Sequence, residues 1–429
     1  MANDIFDPQK FCEFSERRNV IALKTQNNIL ATAFKSKRLQ LNMTLSEATK
    51  DICSKAYLCK FENNQLMMDD KVVRVLCERV DLDYDRVKNL NHDNSLVQGV
   101  RMFLYNQFDQ IDGLVKTMDF DCFIASNKLL ELLNNLVLGN YTKCEELIVD
   151  IDRVRSSLSE YEFCTFAICI CEYYIRTNQF LKAYHFIEKF KYDINFKDLK
   201  HLHLEQRFII FFNLELKSES FNAYKLLEKE FDNGYPKKRL FFDKLHYLEL
   251  FSSNDTISEL KNMLDDMMPP EYIEEYWYTY CICLIKIGEY HEAIQLITKY
   301  ELSNSRFVAL YVYAAWKQAV STDSKQGEPL SKRLPSKMII YMNNLVDKME
   351  KNHQNVIDCN FIKLMQLELK GEAKEDLVDF IRDTALKYDR SYQHRLYSYI
   401  YSHHLFDLLG SMTRYKEAYL IAKNDRTFN

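Results

Sequence analysis

A chain of 429 residues can bury more than one hydrophobic core, and only eight Gly and six Pro leave it poor in the residues that sheet-rich folds use in their turns. Long helices are therefore favoured over a many-stranded sheet. The formal net charge of -5 is unevenly distributed, because residues 24–62 carry seven Lys or Arg against three Asp or Glu. A local basic segment on an otherwise acidic chain suits a DNA-binding module, since it can neutralise phosphates while the remainder limits non-specific binding to polyanions.

The first predicted element is an amphipathic segment at residues 11–23, within an N-terminal extension that we assign to residues 1–26. It has neither the long apolar run of a membrane span nor the cleavage pattern of a signal peptide. The pattern leaves open whether the segment packs on the following domain or on a partner subunit.

The next part of the chain shows the pattern of three short helices. Apolar residues recur three or four positions apart from Ile29 to Phe34, which predicts the first helix. Thr44, followed three residues later by Glu47, predicts a capping box at the start of the second helix. Ser54 is a suitable N-cap for the third. Together these signals predict a helix-turn-helix.

The third helix has the two faces that a DNA-reading helix requires. Leu58 and Phe61 are spaced to point into the core, whereas Lys55, Ala56 and Lys60 lie on the opposite side. We therefore predict that this helix enters the major groove. A lysine serves a phosphate or a guanine equally well, so no individual role is assigned. The residues that we expect to contact DNA are Lys35, Lys37, Ser54, Lys55, Ala56 and Lys60.

One charged residue lies at the edge of each of two otherwise apolar helices. Arg38 on the first helix and Glu62 on the third therefore predict a buried or half-buried ion pair. Such a pair is weak evidence for stability, but removing one partner leaves the other charge buried, at a cost of about 3–5 kcal/mol. We interpret the pair as structural and do not expect Arg38 to read bases.

The segment KSKRLQLNMTLSEATKDICSKAYLCKFENN resembles the DNA-binding domain of phage-repressor-type helix-turn-helix proteins. Its second half, ICSKAYLCKFENN, resembles the Rgg/PlcR-type quorum-sensing regulators of Gram-positive bacteria. That resemblance implies a DNA-binding dimer with a C-terminal tetratricopeptide-like domain that senses a short signalling peptide.

This sequence departs from the family pattern at three places. Leu45 stands where the family usually has a Gln that contacts the DNA backbone, and Thr49 replaces a usual Ala. Asn64 replaces a usual Gly and can still adopt a left-handed turn. The following loop, QLMMDD, also lacks the basic residues often found there. The departures weaken the expected phosphate contacts without breaking the fold.

Another helix is predicted from Asp70, and polar, turn-prone residues at 90–95 mark a domain boundary. We therefore assign residues 27–90 to the helix-turn-helix DNA-binding domain. Residues 91–429 are assigned to a helical repeat domain for sensing and dimerisation.

Beyond the boundary a phrase recurs, in which an aromatic residue at a helix start is followed by a small residue and an apolar run. It begins at Tyr141, Phe180, Tyr290 and Tyr415, and in a shorter form at Phe221. With Ser258 and Leu377 placed at equivalent but degenerate positions, the small positions from Cys144 to Ala418 are 35 to 41 residues apart, except for one gap of 84 that has room for two units. These periods are close to that of the tetratricopeptide repeat. The predicted fold class is therefore all-α, with the helix-turn-helix followed by a tetratricopeptide-like right-handed solenoid.

A solenoid of helical hairpins offers a concave surface to an extended peptide or a protein helix. Aromatic residues at the helix starts are more often packing than recognition residues. Residues 321–336 contain Gly and Pro and predict an exposed loop that interrupts the array. Polar residues among the apolar first helices are candidate peptide ligands: Glu172, Glu205, Asn213 and Tyr278.

Motifs for catalysis and metal binding do not occur in this sequence. There is no Walker A loop, dinucleotide-binding glycine pattern or nucleophile elbow, and no C-x-x-C pair or H-E-x-x-H. We therefore expect no enzyme activity, no cofactor and no metal site. The twelve Cys are spread through apolar helical segments, which favours a reduced, cytoplasmic protein over a disulfide scaffold.

The main hypothesis is a cytoplasmic, homodimeric transcriptional regulator that binds double-stranded DNA, has no membrane partner and responds to a short signalling peptide. Peptide binding would shift the population between two placements of the DNA-binding domains. One alternative is a DNA-binding adaptor that holds another protein constitutively. A second alternative is a repeat scaffold whose helix-turn-helix no longer binds DNA and serves docking or dimerisation.

Overall fold

The computed structural model describes residues 6–20, 29–89, 95–118, 124–265, 272–300, 305–321, 356–386 and 395–424, and the regular structure of these residues is entirely helical. The all-α prediction is confirmed. The chain divides into two compact units, the first made of Met1–Leu214 with Asn222–Leu240 and the second of Glu215–Phe221 with Phe241–Asn429. Nearly all of the predicted boundary at 90–95 and of the predicted loop at 321–336 lies outside the described residues.

The N-terminal helix and the helices of the helix-turn-helix domain are α1 (Pro8–Val20), α2 (Ile29–Gln40), α3 (Leu45–Thr49), α4 (Lys55–Glu62), α5 (Asp70–Arg79) and α6 (Tyr84–Asn89). The following helices of the first unit are α7 (Ser95–Leu104), α8 (Phe108–Lys116), α9 (Ala125–Leu138), α10 (Tyr141–Arg153), α11 (Glu160–Arg176), α12 (Phe180–Lys189) and α13 (Lys197–Asn213). A 3-10 turn, Arg155–Ser157, joins α10 to α11.

Two helices contribute residues to both units, α14 (Lys217–Glu230) and α15 (Lys237–Leu250). The second unit continues with α16 (Asn254–Asp265), α17 (Ile273–Lys286), α18 (Tyr290–Lys299), α19 (Ser305–Ser321), α20 (Val356–Lys370), α21 (Lys374–Asp379), α22 (Arg395–Ser411) and α23 (Tyr415–Asn424). One π-helical segment, Phe380–Ala385, follows α21 directly. None of the described helices combines the length and the apolar character needed to cross a membrane.

The helix-turn-helix closes around a small core of its own. Phe34 from α2, Ala48 from α3, and Leu58 and Phe61 from α4 are completely buried. Leu76 from α5 is buried in the same cluster. Because the three helices are short, each contributes only one or two large side chains. Stability must come mainly from this packing rather than from the intrinsic stability of such short helices.

Helix α1 packs on the repeat helices of the same chain. The ring of Phe11 is completely buried and stacks on Phe163 of α11, with 5.0 Å between ring centroids. Phe166 of α11 and Phe186 of α12 lie at 5.4 and 5.9 Å from the same ring. The predicted amphipathic segment is therefore a helix whose apolar face is used within the first unit.

The recurring aromatic phrase marks the second helix of successive hairpins. Helices α10, α12, α18 and α23 begin at the aromatic residues predicted from the sequence. Helix α10 packs on α9, α12 on α11, α18 on α17 and α23 on α22. The small residues of the phrase are buried, which lets the helices of a hairpin approach closely: Cys144, Ala183, Ala293 and Ala418. The predicted arrangement of a helix-turn-helix followed by helical hairpins is confirmed.

Two helical glycines differ sharply in their surroundings. A Cβ atom at Gly99 of α7 would lie 2.1 Å from Leu130 Cδ1, whereas one at Gly113 of α8 would meet no atom within 4 Å. We expect Gly99→Ala to lower the free energy of unfolding by about 1–3 kcal/mol through overpacking. Gly113→Ala should raise it by about 0.5–1 kcal/mol, because alanine is the better helix former. Denaturant titration of both variants checks this, and equal effects would contradict the packing at Gly99.

Candidate nucleic-acid interface and ligand-binding residues

The second and third helices of the helix-turn-helix domain are fixed by their N-caps. The Glu47 backbone N–H donates to Thr44 Oγ1 over 3.2 Å, and the Thr44 backbone N–H donates to Glu47 Oε2 over 2.7 Å. The predicted capping box is present. At α4 the Tyr57 backbone N–H donates to Ser54 Oγ over 3.2 Å, so the cap of the recognition helix is also present. These bonds satisfy N–H groups that a helix start leaves without partners.

Arg79 is a positioning residue of this domain that the sequence analysis did not identify. Its Nη1 atom donates from α5 to the backbone carbonyls of Glu47 and Ala48, at 3.2 and 3.4 Å, and also to that of Lys50. A cation at a helix C-terminus is stabilised by the carbonyl groups there. The contact joins positions about 30 residues apart, so no local sequence signal points to it.

Helix α4 presents an exposed face that combines the N-cap with basic residues. Ser54, Lys55, Ala56 and Lys60 are all exposed, while Leu58 is buried on the opposite side. Within the described residues, neither Lys55 nor Lys60 has a carboxylate within the 4.0 Å that defines an ion pair. Their positive charges are therefore available to an external anion.

The ion pair expected between α2 and α4 is present and buried. Arg38 Nε lies 2.6 Å from Glu62 Oε1, and Arg38 Nη2 lies 2.8 Å from Glu62 Oε2. Arg38 Nη1 also donates to the carbonyl of Met43 over 2.6 Å. The guanidinium therefore holds the end of α4 and the turn after α2 in one geometry. A two-point, charge-assisted contact of this kind fixes orientation as well as distance.

Lys35 does not face the solvent, and this changes the set of residues that we expect to meet DNA. Its ammonium group bonds to Ser156 Oγ and lies 3.3 Å from Asn63 Oδ1. Burial lowers the pKa of Lys35 to about 8, with the nearby Glu62 carboxylate opposing the shift. We therefore remove Lys35 from the DNA-contacting set. Lys37, two residues beyond it on another face of α2, is half-buried and remains a candidate.

The lowered pKa of Lys35 predicts a pH dependence of stability. In the unfolded chain the Lys35 ammonium group keeps its proton up to about pH 10.5, whereas in the folded protein it loses that proton near pH 8. Between these values the unfolded state binds more protons, so the contribution of Lys35 to stability rises with pH. Compared with Lys35→Met, the wild type should gain on the order of 3 kcal/mol over this window. Denaturant titrations of both proteins at several pH values give this difference, from which other titrating groups cancel. A difference that stays constant with pH would contradict a buried ammonium.

Two of the candidate peptide ligands, Glu172 and Glu205, lie in the first unit and already have partners. Glu172 Oε1 accepts from Arg176 Nε over 2.7 Å, and Glu172 Oε2 accepts from Gln206 Nε2 over 3.1 Å. Glu205 forms a buried ion pair with Arg239. Burial raises the pKa of Glu205, and the adjacent guanidinium opposes that shift. Glu205 therefore has a structural partner, while Glu172 keeps some exposure.

Asn213 and Tyr278 also make contacts within the chain. Asn213 Nδ2 donates to the carbonyl of Ile209 in its own helix, over 2.8 Å. Tyr278 belongs to the second unit, where the Arg306 guanidinium lies 4.4 Å from its ring centroid. Tyr278 also packs edge-on against Phe307, at 5.7 Å between centroids. Asn213 thus belongs to the first unit and Tyr278 to the second, and each already has a partner within its own unit.

The ten cysteines whose side chains the structure describes are free thiols. Most are buried in the helical core, and burial raises the pKa of the Cys12 and Cys144 thiols to about 11. Thiols of this kind are poor nucleophiles and metal ligands at neutral pH. No group of three or more His, Cys, Asp or Glu within the described part of the chain is placed to hold a metal ion.

Comparison with known proteins adds little to what the geometry of the site shows. No protein-family model and no curated protein sequence matches the chain. A solved structure of Bacillus thuringiensis PlcR in complex with the peptide PapR7 and DNA aligns with 69% of this chain and 99% of its own at 11% sequence identity. The TM-score of that alignment is 0.27. At this level of likeness neither a shared fold nor a shared function is inferred from it.

Proposed function

We propose that this protein is a sequence-specific DNA-binding transcriptional regulator that acts as a homodimer and is controlled by a short signalling peptide bound in its helical repeat domain. The observation that carries the DNA-binding part is the exposed basic face of α4. Lys55 and Lys60 lie on it without acidic partners among the described residues, next to an N-cap that is exposed as well.

The geometry of α4 suits the major groove. Its eight residues span roughly 12 Å, and the exposed face is not covered by another described helix. Ala56 leaves room for a base edge between the two lysines, and the N-terminus of the helix adds its own partial positive charge. The Arg38–Glu62 pair holds this helix against α2.

The dimeric and peptide-binding parts of the proposal follow from different considerations. A single short helix reads few bases, so specificity requires a second copy on a half-site about one helical turn, or roughly 34 Å, away. The hairpins offer the stacked helical surface that binds extended peptides in other solenoids. Of the two predicted carboxylates, Glu172 is the more accessible, and we retain it as a candidate contact for such a ligand.

The scaffold alternative is favoured by one specific observation beside the recognition helix. The loop after α4 has no basic residue between Gln65 and Asp70, and the side chain of Met67 there is 65% exposed. An exposed methionine next to acidic residues suits a protein partner better than a phosphate backbone. If this surface has become a docking site, the lysines of α4 are not required for function.

Substitution of both lysines of α4 tests the DNA-binding part. We expect Lys55→Ala/Lys60→Ala to weaken binding to a selected operator by roughly 10²- to 10³-fold, because each contact with a base or phosphate contributes about 1–3 kcal/mol. The dependence of affinity on salt should also become shallower. Operators selected from a random library by the purified protein provide the assay, read by fluorescence anisotropy at two salt concentrations.

Lys71→Ala/Lys229→Ala is the matched control, since it removes the same charge at two exposed positions outside α4. An equal loss in both double variants would mean that net charge, rather than the α4 face, determines affinity. If the wild type selects no operator at all, the scaffold alternative replaces the proposal.

For the peptide part, ligands that co-purify with the full-length protein are identified by mass. Recovery of a folded protein partner instead would favour the adaptor.

A further inference from the structure

The 3-10 turn between α10 and α11 contacts the DNA-binding domain through its backbone. The carbonyl of Ser157 accepts a hydrogen bond from Asn64 Nδ2 and another from Thr32 Oγ1, the latter over 3.4 Å. Ser157 Oγ in turn donates to the backbone carbonyl of Glu62. Ser157 is completely buried. These bonds provide hydrogen-bond partners for backbone carbonyl and side-chain groups at the C-terminal end of the recognition helix.

The neighbouring residue extends the contact to α2. Ser156 Oγ donates to Asn63 Oδ1 over 2.8 Å, and it also bonds to the Lys35 ammonium. Two adjacent serines of one turn thus reach both α2 and the end of α4. We call this set of bonds the turn contact; its members are Thr32, Lys35, Glu62, Asn63, Asn64, Ser156 and Ser157.

The turn is also held from its other side. Arg18 Nη2 of α1 donates to the carbonyl of Leu158 over 2.6 Å, and its Nη1 donates to that of Arg155 over 3.3 Å. The same guanidinium lies over the ring of Phe163, 4.6 Å from the centroid. A turn fixed to α1 and α11 cannot follow small movements of the DNA-binding domain. The turn contact is therefore one of the contacts that place that domain on the first repeat helices.

The turn contact leaves the DNA-facing residues free. It engages the C-terminal end of α4, whereas Ser54 and Lys55 lie at the N-terminal end and are exposed. The contact therefore does not block DNA by covering the recognition face. Rotating α4 relative to the repeat helices, however, requires breaking several buried hydrogen bonds at once.

We propose that the turn contact sets the orientation of the recognition helix relative to the repeat helices and thereby determines which half-site spacing the dimer accepts. The inference rests on the proposed function, since it needs two DNA-binding domains in one assembly. In a dimer the distance between recognition helices is fixed only as firmly as each domain is fixed to its own repeats. Residues outside the helix-turn-helix, Ser156 and Ser157, are then specificity-determining residues that touch no DNA.

The test loosens the turn contact and leaves the DNA face unchanged. Asn64 has a positive φ of 55°, so Asn64→Gly removes its side-chain bond while keeping the backbone conformation. The test protein is Asn64→Gly/Ser156→Ala/Ser157→Ala. The control is Asn106→Gly/Ser218→Ala, because Asn106 has nearly the same φ, 57°, and both control residues are exposed.

Each full-length protein is offered a library of paired half-sites in which only the spacing varies, and a duplex with one half-site. The wild type and the control should select one spacing. The affinity of the test protein, which we call the loosened protein, for the single half-site should stay within about twofold of that of the wild type. The ratio of its affinities for the best spacing and for one 2 bp longer should fall roughly tenfold. The single half-site also reports whether the domain remains folded, and Ser156→Ala alone gives a milder variant for comparison.

Unchanged spacing discrimination in the loosened protein would overturn the inference while leaving the proposed function intact. A uniform loss of affinity for the single half-site, with discrimination preserved, would overturn it as well, since the turn contact would then only support folding. A wild type that selects no paired half-site removes the proposed function itself. These outcomes are distinguishable within one experiment.

Discussion

Glu62→Gln should lower the free energy of unfolding of the helix-turn-helix domain by about 3–5 kcal/mol, because it leaves the Arg38 guanidinium buried without its counter-charge. Arg38 and Glu62 have side-chain exposures of only 8% and 4%, and two bonds join them. A glutamine of the same shape can accept from the guanidinium at one atom only. Hydrogen exchange of the α2 and α4 amides measures the local free energy of opening directly.

An exposed ion pair in the same domain supplies the control. Arg74 and Asp85 also form two bonds, the longer being 2.9 Å, but both side chains are largely exposed. Asp85→Asn should therefore change hydrogen exchange little, because solvent screens the charges. The double variant Arg38→Met/Glu62→Gln should recover part of the loss, since the buried guanidinium is removed together with its counter-charge. Equal effects of Glu62→Gln and Asp85→Asn would show that burial of the Arg38 pair does not matter.

The second large effect is expected at Arg239, in the first unit. Arg239→Met should destabilise that unit by about 3–5 kcal/mol, since it leaves the Glu205 carboxylate buried without a cation. The same guanidinium donates to the backbone carbonyls of Phe103 and Leu104, both over 2.6 Å, so the end of α7 also loses its donors. Hydrogen exchange in α7 and α13 is the measurement, because both helices contact this side chain.

Arg101→Met, an exposed arginine on α7, is the matched control and should have little effect. Removing both charges in Arg239→Met/Glu205→Gln should restore only part of the lost stability, since the two carbonyls at the end of α7 still lack donors. Full recovery in that double variant would mean that the carbonyl contacts contribute nothing. If Arg239→Met behaved like Arg101→Met, the Glu205–Arg239 pair would not be a structural element of the first unit.

Local features of the DNA-binding domain could be read directly from the sequence. The caps at Thr44 and Ser54 involve partners three residues away, so their signals are contained in four consecutive letters. The aromatic helix starts of the hairpins are local in the same way, because helix periodicity and a nearby small residue define them. The Arg38–Glu62 pair is also visible, since two charged residues interrupt two otherwise apolar helix faces within one small domain.

Only the tertiary structure decided which polar residues are free to act. Lys35 belongs to the basic segment by sequence, but Ser156 meets it from 121 positions away. The sequence makes Glu205 a candidate ligand, but the structure pairs it with Arg239, 34 positions later. The packing of Phe11 against Phe163 is equally remote in sequence. Helical periodicity tells which face of a helix is apolar, but it does not tell which distant side chain meets a polar group on that face. That information exists only once the chain has folded, because burial and pairing depend on all neighbours together.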